Sequence, residues 1–498
     1  MQNLEEHFSQ FRRNIIGIDA TLMGPNGEVP LVYADWIASG RLYGPIEKQM
    51  LHVAYPYVAN THSESSALGA SMTRSYHEAR RRIKAHSNAS AEDVLIIAGS
   101  GMTGAVNKLQ RILGLRIPER ARGICGRGSC EIPEDERPVV FITHMEHHSN
   151  HTSWLESLAD VVILEPDDRL MVQPVELEKQ LKRYASRPVK IGSFSAGSNV
   201  TGIRPAYRDL ARLMHRYGGI ALVDFAAAAP YDKIDMHPKD DPEGYLDGIY
   251  FSPHKFLGGP GSPGIAVFNK GLYHNSTPDD PGGGTVKWTN RWEPAHYVDD
   301  IETREDGGTP AFLGTIRAAM AFDLKEAMGV TNIHLREKQL INHAFDTLLD
   351  IPQLHILADQ ERDRIGAISF YFDHLHYNLV VRLLSDRYGI QVRGGCSCAG
   401  TYGHYLLHID QKWSHMIACQ VDAGDLSKKP GWVRLSLHPT MTNDELDYIL
   451  LAIKEIGEKG LQWAEDYYFD KTSGEFFRKD RKDFSAFSLE TLFGPISE

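Results

Sequence analysis

Cysteine is scarce, with 5 residues in a chain of 498. That is too few for a disulfide scaffold, so a cysteine with a role here is expected to be reactive or inert, not structural. No apolar run approaches the ~18 residues that a membrane span requires. The N-terminus, MQNLEEHFSQFRRN, has none of the apolar core that a secretory signal needs. These absences point to a reducing cytoplasm and away from a membrane. No long Lys/Arg run occurs, and 53 basic residues against 65 acidic ones leave a net charge of -12. Nucleic acid is therefore not expected as a partner. There is no internal repeat, no low-complexity tract, no GK[ST] after a glycine cluster and no HExxH.

What is present is ordinary globular material: 42% hydrophobic and 24% charged residues, enough for a large core and two domains. Short apolar runs recur: VLIIAG (94–99), VVFIT (139–143), VVILE (161–165), VKIGSFS (189–195), IALVDFA (220–226), DGIYFS (247–252) and GIAVFN (264–269). Amphipathic stretches such as PVELEKQLKRYA and PAYRDLARLMHRYG lie between several of them. Near-continuous apolar strands alternating with helices predict an α/β fold with a mostly parallel sheet covered on both faces. Ligands gather at the carboxyl ends of such strands, where Asp224 and Lys255 fall. The domains read as a polar arm (1–30), a large domain (31–310), a smaller C-terminal α/β domain (311–460) and a charged, aromatic extension (461–498). Within the large domain, 275–310 reads as loops.

Five motifs carry possible chemistry, each beside a plainer reading. Lys255, in Ser252-Pro253-His254-Lys255 ahead of a glycine cluster, suits a Schiff-base lysine; most lysines at strand ends simply reach water. Asp224 closes an apolar run, and a buried carboxylate needs a cation or several donors; a capping role is the plainer account. FITHMEHHSNHTSW offers His144, His147, His148 and His151, but lacks a clearly placed third ligand for a metal, and none is expected. One of these imidazoles could instead lie flat on an aromatic cofactor ring. In VRGGCSCAGTYG, Cys396 and Cys398 are two surface cysteines or include a thiolate nucleophile near Arg393. Arg434, inside the apolar run WVRLSL, suits a substrate carboxylate or a structural ion pair.

Their order along the chain resembles that of the class V aminotransferase family of fold-type I pyridoxal-phosphate (PLP) enzymes, in particular the cysteine desulfurase/selenocysteine lyase branch. The resemblance runs from VYADWIASG at 32 to the helix after Arg434. It implies a large domain built on a mostly parallel seven-stranded sheet, a smaller C-terminal α/β domain, and PLP as cofactor. Lys255 falls on the cofactor lysine, Asp224 on the aspartate facing the pyridine nitrogen, and His147 of EHHSN on the stacked imidazole. Asn199 of GSNVTG falls near the phenolic oxygen. Thr103 of GMTGAVN, Ser252 and His254 fall on the phosphate cup, and Thr103 also stands where a helix N-terminus would bind an anion. Thr309 of GGTP falls on the residue that reaches a neighbouring subunit's phosphate, which implies a homodimer. Cys398 falls on the nucleophile and Arg434 on the substrate-carboxylate arginine.

The chain also departs from the family pattern. Ala227 stands where the family has Gln or His, Cys396 and Ser397 stand where desulfurases often have His, 404–430 looks inserted, and 461–498 has no clear counterpart. The resemblance implies sulfur removal from L-cysteine as a persulfide on Cys398, with alanine released and a possible sulfur-acceptor protein. The alternatives are another class V enzyme acting on an amino acid without a persulfide (C–S lyase, aminotransferase or epimerase), or a non-catalytic scaffold.

Overall fold

A computed structural model describes residues 3–124, 132–480 and 486–494. The chain divides into a larger unit, 37–334 with 363–365, and a smaller one, 1–36 with 335–362 and 366–498.

The larger unit is built on a seven-stranded sheet of β1 (Asp93–Ala98), β2 (Val139–Thr143), β3 (Asp160–Leu164), β4 (Lys190–Ser195), β5 (Ile220–Asp224), β6 (Gly248–Phe251) and β7 (Gly264–Asn269). Each apolar run of the sequence supplies one strand. The spatial order is β1-β7-β6-β5-β4-β2-β3. β7 is antiparallel to both its neighbours and every other pairing is parallel. Strand residues such as Val140, Phe141, Ile142, Leu222, Val223 and Ile249 are fully buried, as expected of a sheet covered on both faces. The register places Ser195, Asp224 and Tyr250 side by side at adjacent strand ends.

Helices of this unit include α1 (Ala67–His86), α2 (Met102–Ile112), α3 (His148–Leu155) and α4 (Phe312–Met328). α2 buries Val106, Leu109 and Ile112, the face its spacing predicts, against the sheet. α4 packs on α1, with Phe312 against Met72 and Tyr76. Residues 311–334, read from sequence as the head of the smaller domain, thus cluster with the larger unit. Segment 275–310 is not wholly loop. Val286–Trp288 pairs with His296–Tyr297, and Ile301–Arg304 is a short helix capped by Asp300.

The smaller unit holds a four-stranded antiparallel sheet, ordered Leu354–Ile356, Ala367–Phe372, Trp432–Ser436, Arg393–Gly395. The N-terminal segment folds into this unit. Helix Leu4–Arg12 buries Leu4, Phe8 and Phe11, and Arg12 pairs with Glu445 at 2.6 Å. Val32–Tyr33 pairs in parallel with Ile390–Gln391. The stretch 404–430 contains helix Gln411–Asp422, capped by Asp410, and the extension continues helix Asn443–Trp463 into the hairpin Tyr467–Asp470/Glu475–Arg478. Residues 481–485 and 495–498 of that extension lie outside the described residues. No helix among the described residues is long and apolar enough to cross a membrane.

Candidate active site

The carboxyl ends of β4, β5 and β6 and the start of α2 enclose a cavity of about 250 Å³. Asp224 and Lys255 both line it, with Thr103, His147, Asn199, Ser252 and His254. Seven of the residues singled out from sequence are therefore gathered at one place in the larger unit.

Each is held by local structure. β5 ends at Asp224, whose Oδ1 accepts from Ala226 N at 2.7 Å. Burial is the main cause that pushes the Asp224 carboxyl up to about 7, with buried Glu146 adding to the rise. Its Ala226 hydrogen bond and the Lys255 amine pull the other way. Lys255 ends a tight turn after β6, in which Lys255 N donates to Ser252 O at 3.1 Å. Gly40 N donates to His254 O at 2.9 Å, and a Cβ at Gly40 would stand 2.0 Å from Phe256 O. The glycine that ends VYADWIASG thus lets the backbone brace the lysine turn directly.

At the α2 N-terminus, Ser252 Oγ accepts from Met102 N at 2.8 Å, and Thr103 Oγ1 shares a 2.6 Å hydrogen bond with Ser149 Oγ. A Cβ on Gly101 would come within 2.9 Å of His254 Cε1 and 3.2 Å of Ser252 Oγ. His254 Nδ1 lies 3.0 Å from Ser100 O, which assigns the proton to Nδ1, and burial lowers its pKa. His147 caps α3, its Nδ1 accepting from Ser149 N at 3.1 Å, so the proton of the neutral ring sits on Nε2.

Behind Ser195, which lines the cavity, is a residue that motif reading passed over. Glu146 is fully buried and accepts from Thr143 Oγ1 and Ser195 Oγ at 2.6 Å each and from Asn150 Nδ2 at 2.7 Å. It ties β2, β4 and α3 together next to His147. Its position inside EHHSN is the only local signal for it.

Thr309 is exposed in the larger unit and is not among the residues lining the cavity. Ala227 lines it with a methyl group. His144 is buried, with its pKa lowered to about 4 by desolvation, and is not part of the lining. Among the described residues no three His, Cys, Asp or Glu side chains are grouped to hold a metal. In the smaller unit, Cys398 is exposed and Cys396 half-buried. Arg434 is buried, and its Nη2 donates to Asp35 Oδ1 at 2.6 Å, while Arg393 Nε donates to Asp35 Oδ2 at 3.2 Å. The structural ion pair that the sequence allowed for Arg434 is thus present, and its partner Asp35 was not singled out there.

The sequence profile of the aminotransferase class-V family matches residues 130–449. The chain belongs to that family. It is accordingly a class V enzyme of the PLP-dependent kind. A relative in Halalkalibacterium halodurans named "Probable cysteine desulfurase" is 28% identical over 376 residues, 74% of this chain and 84% of the relative. One of the same name in Staphylococcus epidermidis is 28% identical over 344 residues, 69% of this chain and 77% of the relative. Among solved structures, a cysteine desulfurase from Escherichia coli superposes with a TM-score of 0.69 at 21% identity, covering 91% of this chain and 98% of that one. The apo cysteine desulfurase from Thermococcus onnurineus NA1 gives 0.68 at 21%, covering 86% and 95%. These likenesses bear out the fold-type I architecture expected from the motifs.

Proposed function

We propose that the chain is a PLP-dependent cysteine desulfurase or selenocysteine lyase-like enzyme that takes sulfur from L-cysteine onto Cys398 as a persulfide and releases alanine. One observation carries the reading: an acid and an amine, Asp224 and Lys255, share one small cavity with a phosphate-type cradle. The donor set fits PLP. Asp224 is a buried carboxylate that gains from a cation, and the α2 N-terminus with Thr103, Ser252 and His254 suits a phosphate dianion. Gly101 leaves that cradle open where any Cβ would crowd it.

When bound, PLP supplies an electron sink for the amino acid's α-carbon. Asp224 would keep a proton on the cofactor's ring nitrogen, and His147 and Asn199 would help hold the ring. Lys255 Nζ anchors the cofactor and afterwards moves the substrate's α-proton. Arg434 binds the substrate carboxylate, and Asp35 holds its guanidinium in orientation. Cys398 Sγ, as thiolate, attacks the substrate sulfur. An S–S bond forms as the C–S bond breaks, and the three-carbon remainder leaves as alanine. The active species in this reading is a cytoplasmic homodimer in which Thr309 serves the neighbouring copy's phosphate, and an acceptor protein or small thiol collects the sulfur. The exposed position of Thr309 supports that role.

The test is borohydride reduction of protein incubated with PLP, followed by peptide mapping, then alanine and sulfide assays with cysteine and a reductant. A PLP adduct on Lys255 that Lys255→Ala abolishes is expected, with sulfide release lost in Cys398→Ala while PLP uptake persists. Protein that takes up no PLP sinks the proposal. Ala227, which offers no hydrogen-bond donor, favours one second reading: C–S elimination without a persulfide. Sulfide release that survives Cys398→Ala selects it.

A further inference from the structure

The desulfurase chemistry assigned to Cys398 leaves Cys396 without a task. Residues 396–399 form a closed turn, with Ala399 N donating to Cys396 O at 3.0 Å. Both central residues are left-handed, Ser397 at φ +50° and Cys398 at φ +57°. Positive φ at both centres is the type I′ pattern, normally filled by Gly, Asn or Asp. Serine and cysteine adopt it at a conformational cost, and such outliers persist where the surroundings impose them, often at functional sites. Ser397 is buried, which pins the turn between its two cysteines. Two Cα–Cα steps of about 3.8 Å, folded back by the turn, keep the α-carbons of Cys396 and Cys398 within about 7 Å.

The two thiols also sit in different surroundings. Cys398 is exposed; Cys396 is half-buried beside Tyr377. Burial is the main cause that pushes the Tyr377 hydroxyl up to about 12, and the nearby Cys396 and Glu475 add to the rise. A Cys-x-Cys disulfide must bring its sulfurs to about 2.05 Å, which i and i+2 geometry resists. Passing a sulfur atom asks for less, because the donor sulfur, the transferred sulfur and the attacking thiolate line up with about 4 Å between the two cysteine sulfurs.

We propose that Cys396 is a second sulfur carrier that takes the persulfide sulfur from Cys398 across this turn. The inference rests on the desulfurase reading. Cys396 thiolate attacks the outer sulfur of the Cys398 persulfide. The old S–S bond breaks, its electron pair leaves with the Cys398 thiolate, and a persulfide forms on Cys396. No oxidant or reductant is consumed, and Cys398 is free for another substrate while the sulfur waits in the more sheltered position.

The experiment gives PLP-loaded protein excess cysteine without reductant, counts alanine released before the reaction stalls, then quenches in acid, alkylates and maps the extra sulfur by fragmentation. Wild type is expected to release about two alanines per chain in this burst, and Cys396→Ala and Cys396→Ser about one, a twofold drop. Wild-type peptides should carry the extra sulfur on both cysteines. A persulfide confined to Cys398, or a burst unchanged by Cys396→Ala, overturns the relay and leaves the desulfurase reading standing. No persulfide on either cysteine of the wild type overturns both.

Discussion

Replacing Asp224 by Asn removes a charge from the cavity while keeping an oxygen for the Ala226 amide, 2.7 Å away. In the protein without cofactor, burial lifts this carboxyl from 3.8 to about 7. Between these values the folded state holds a proton that the unfolded state has released, so stability falls as pH rises through the window and is not recovered above it. The shift is about 3 units at 1.36 kcal/mol each, so ionised Asp224 costs the apo fold on the order of 4 kcal/mol at pH 8. The assay is thermal unfolding of apo wild type and Asp224→Asn from pH 5 to pH 8, read as the difference between them so that other groups cancel. The wild type should lose ground by several degrees as pH rises, at roughly 2–4 °C per kcal/mol. At pH 8, added PLP should restore wild type and do little for Asp224→Asn, since the carboxylate then has a cation to face. Parallel pH profiles for the two apo proteins would refute the claim that Asp224 is held in an unfavourable charged state awaiting a partner.

Three further outcomes are expected. Gly40→Ala places a Cβ 2.0 Å from Phe256 O, so it should cost about 3 kcal/mol or more in urea unfolding and weaken PLP uptake by displacing the lysine turn. Asp35→Ala removes the shared acceptor of buried Arg434 and half-exposed Arg393; a loss of about 3 kcal/mol in chemical denaturation, with a raised KM for the amino acid, is expected. His438 is stacked on Trp36 at 3.9 Å, and burial lowers its pKa to about 3. The unfolded chain takes up this proton below 6.5 and the folded one does not, so stability should fall by about 2 kcal/mol from pH 6.5 to pH 5. His438→Phe should flatten that part of the stability–pH curve.

Much of the larger unit was legible because its signals are local. Seven apolar runs became seven strands, since a strand buried on both faces must be apolar along its length whatever its neighbours are. Lys255, Asp224 and Ser252 were legible because a polar group at the end of such a run is conspicuous. Thr103 was legible because it sits just inside a helix start. The polar support of the cavity was not. Glu146 serves Ser195, and Gly40 serves Lys255, through contacts between segments far apart in the chain, and no periodicity encodes which distant segment arrives.

Hydrophobic period and turn chemistry act over a few residues. For that reason the succession of strands and helices, the class of fold and the chemically conspicuous side chains were already written in the order of the amino acids. Other outcomes needed the folded chain: residues 1–36 join the C-terminal segments, 311–334 cluster with the larger unit, and Asp35 stands against Arg434. So did the left-handed backbone of Ser397 and Cys398, which neither residue prefers in isolation. These outcomes depend on which faces bury against each other, and burial is settled by all parts of the chain at once.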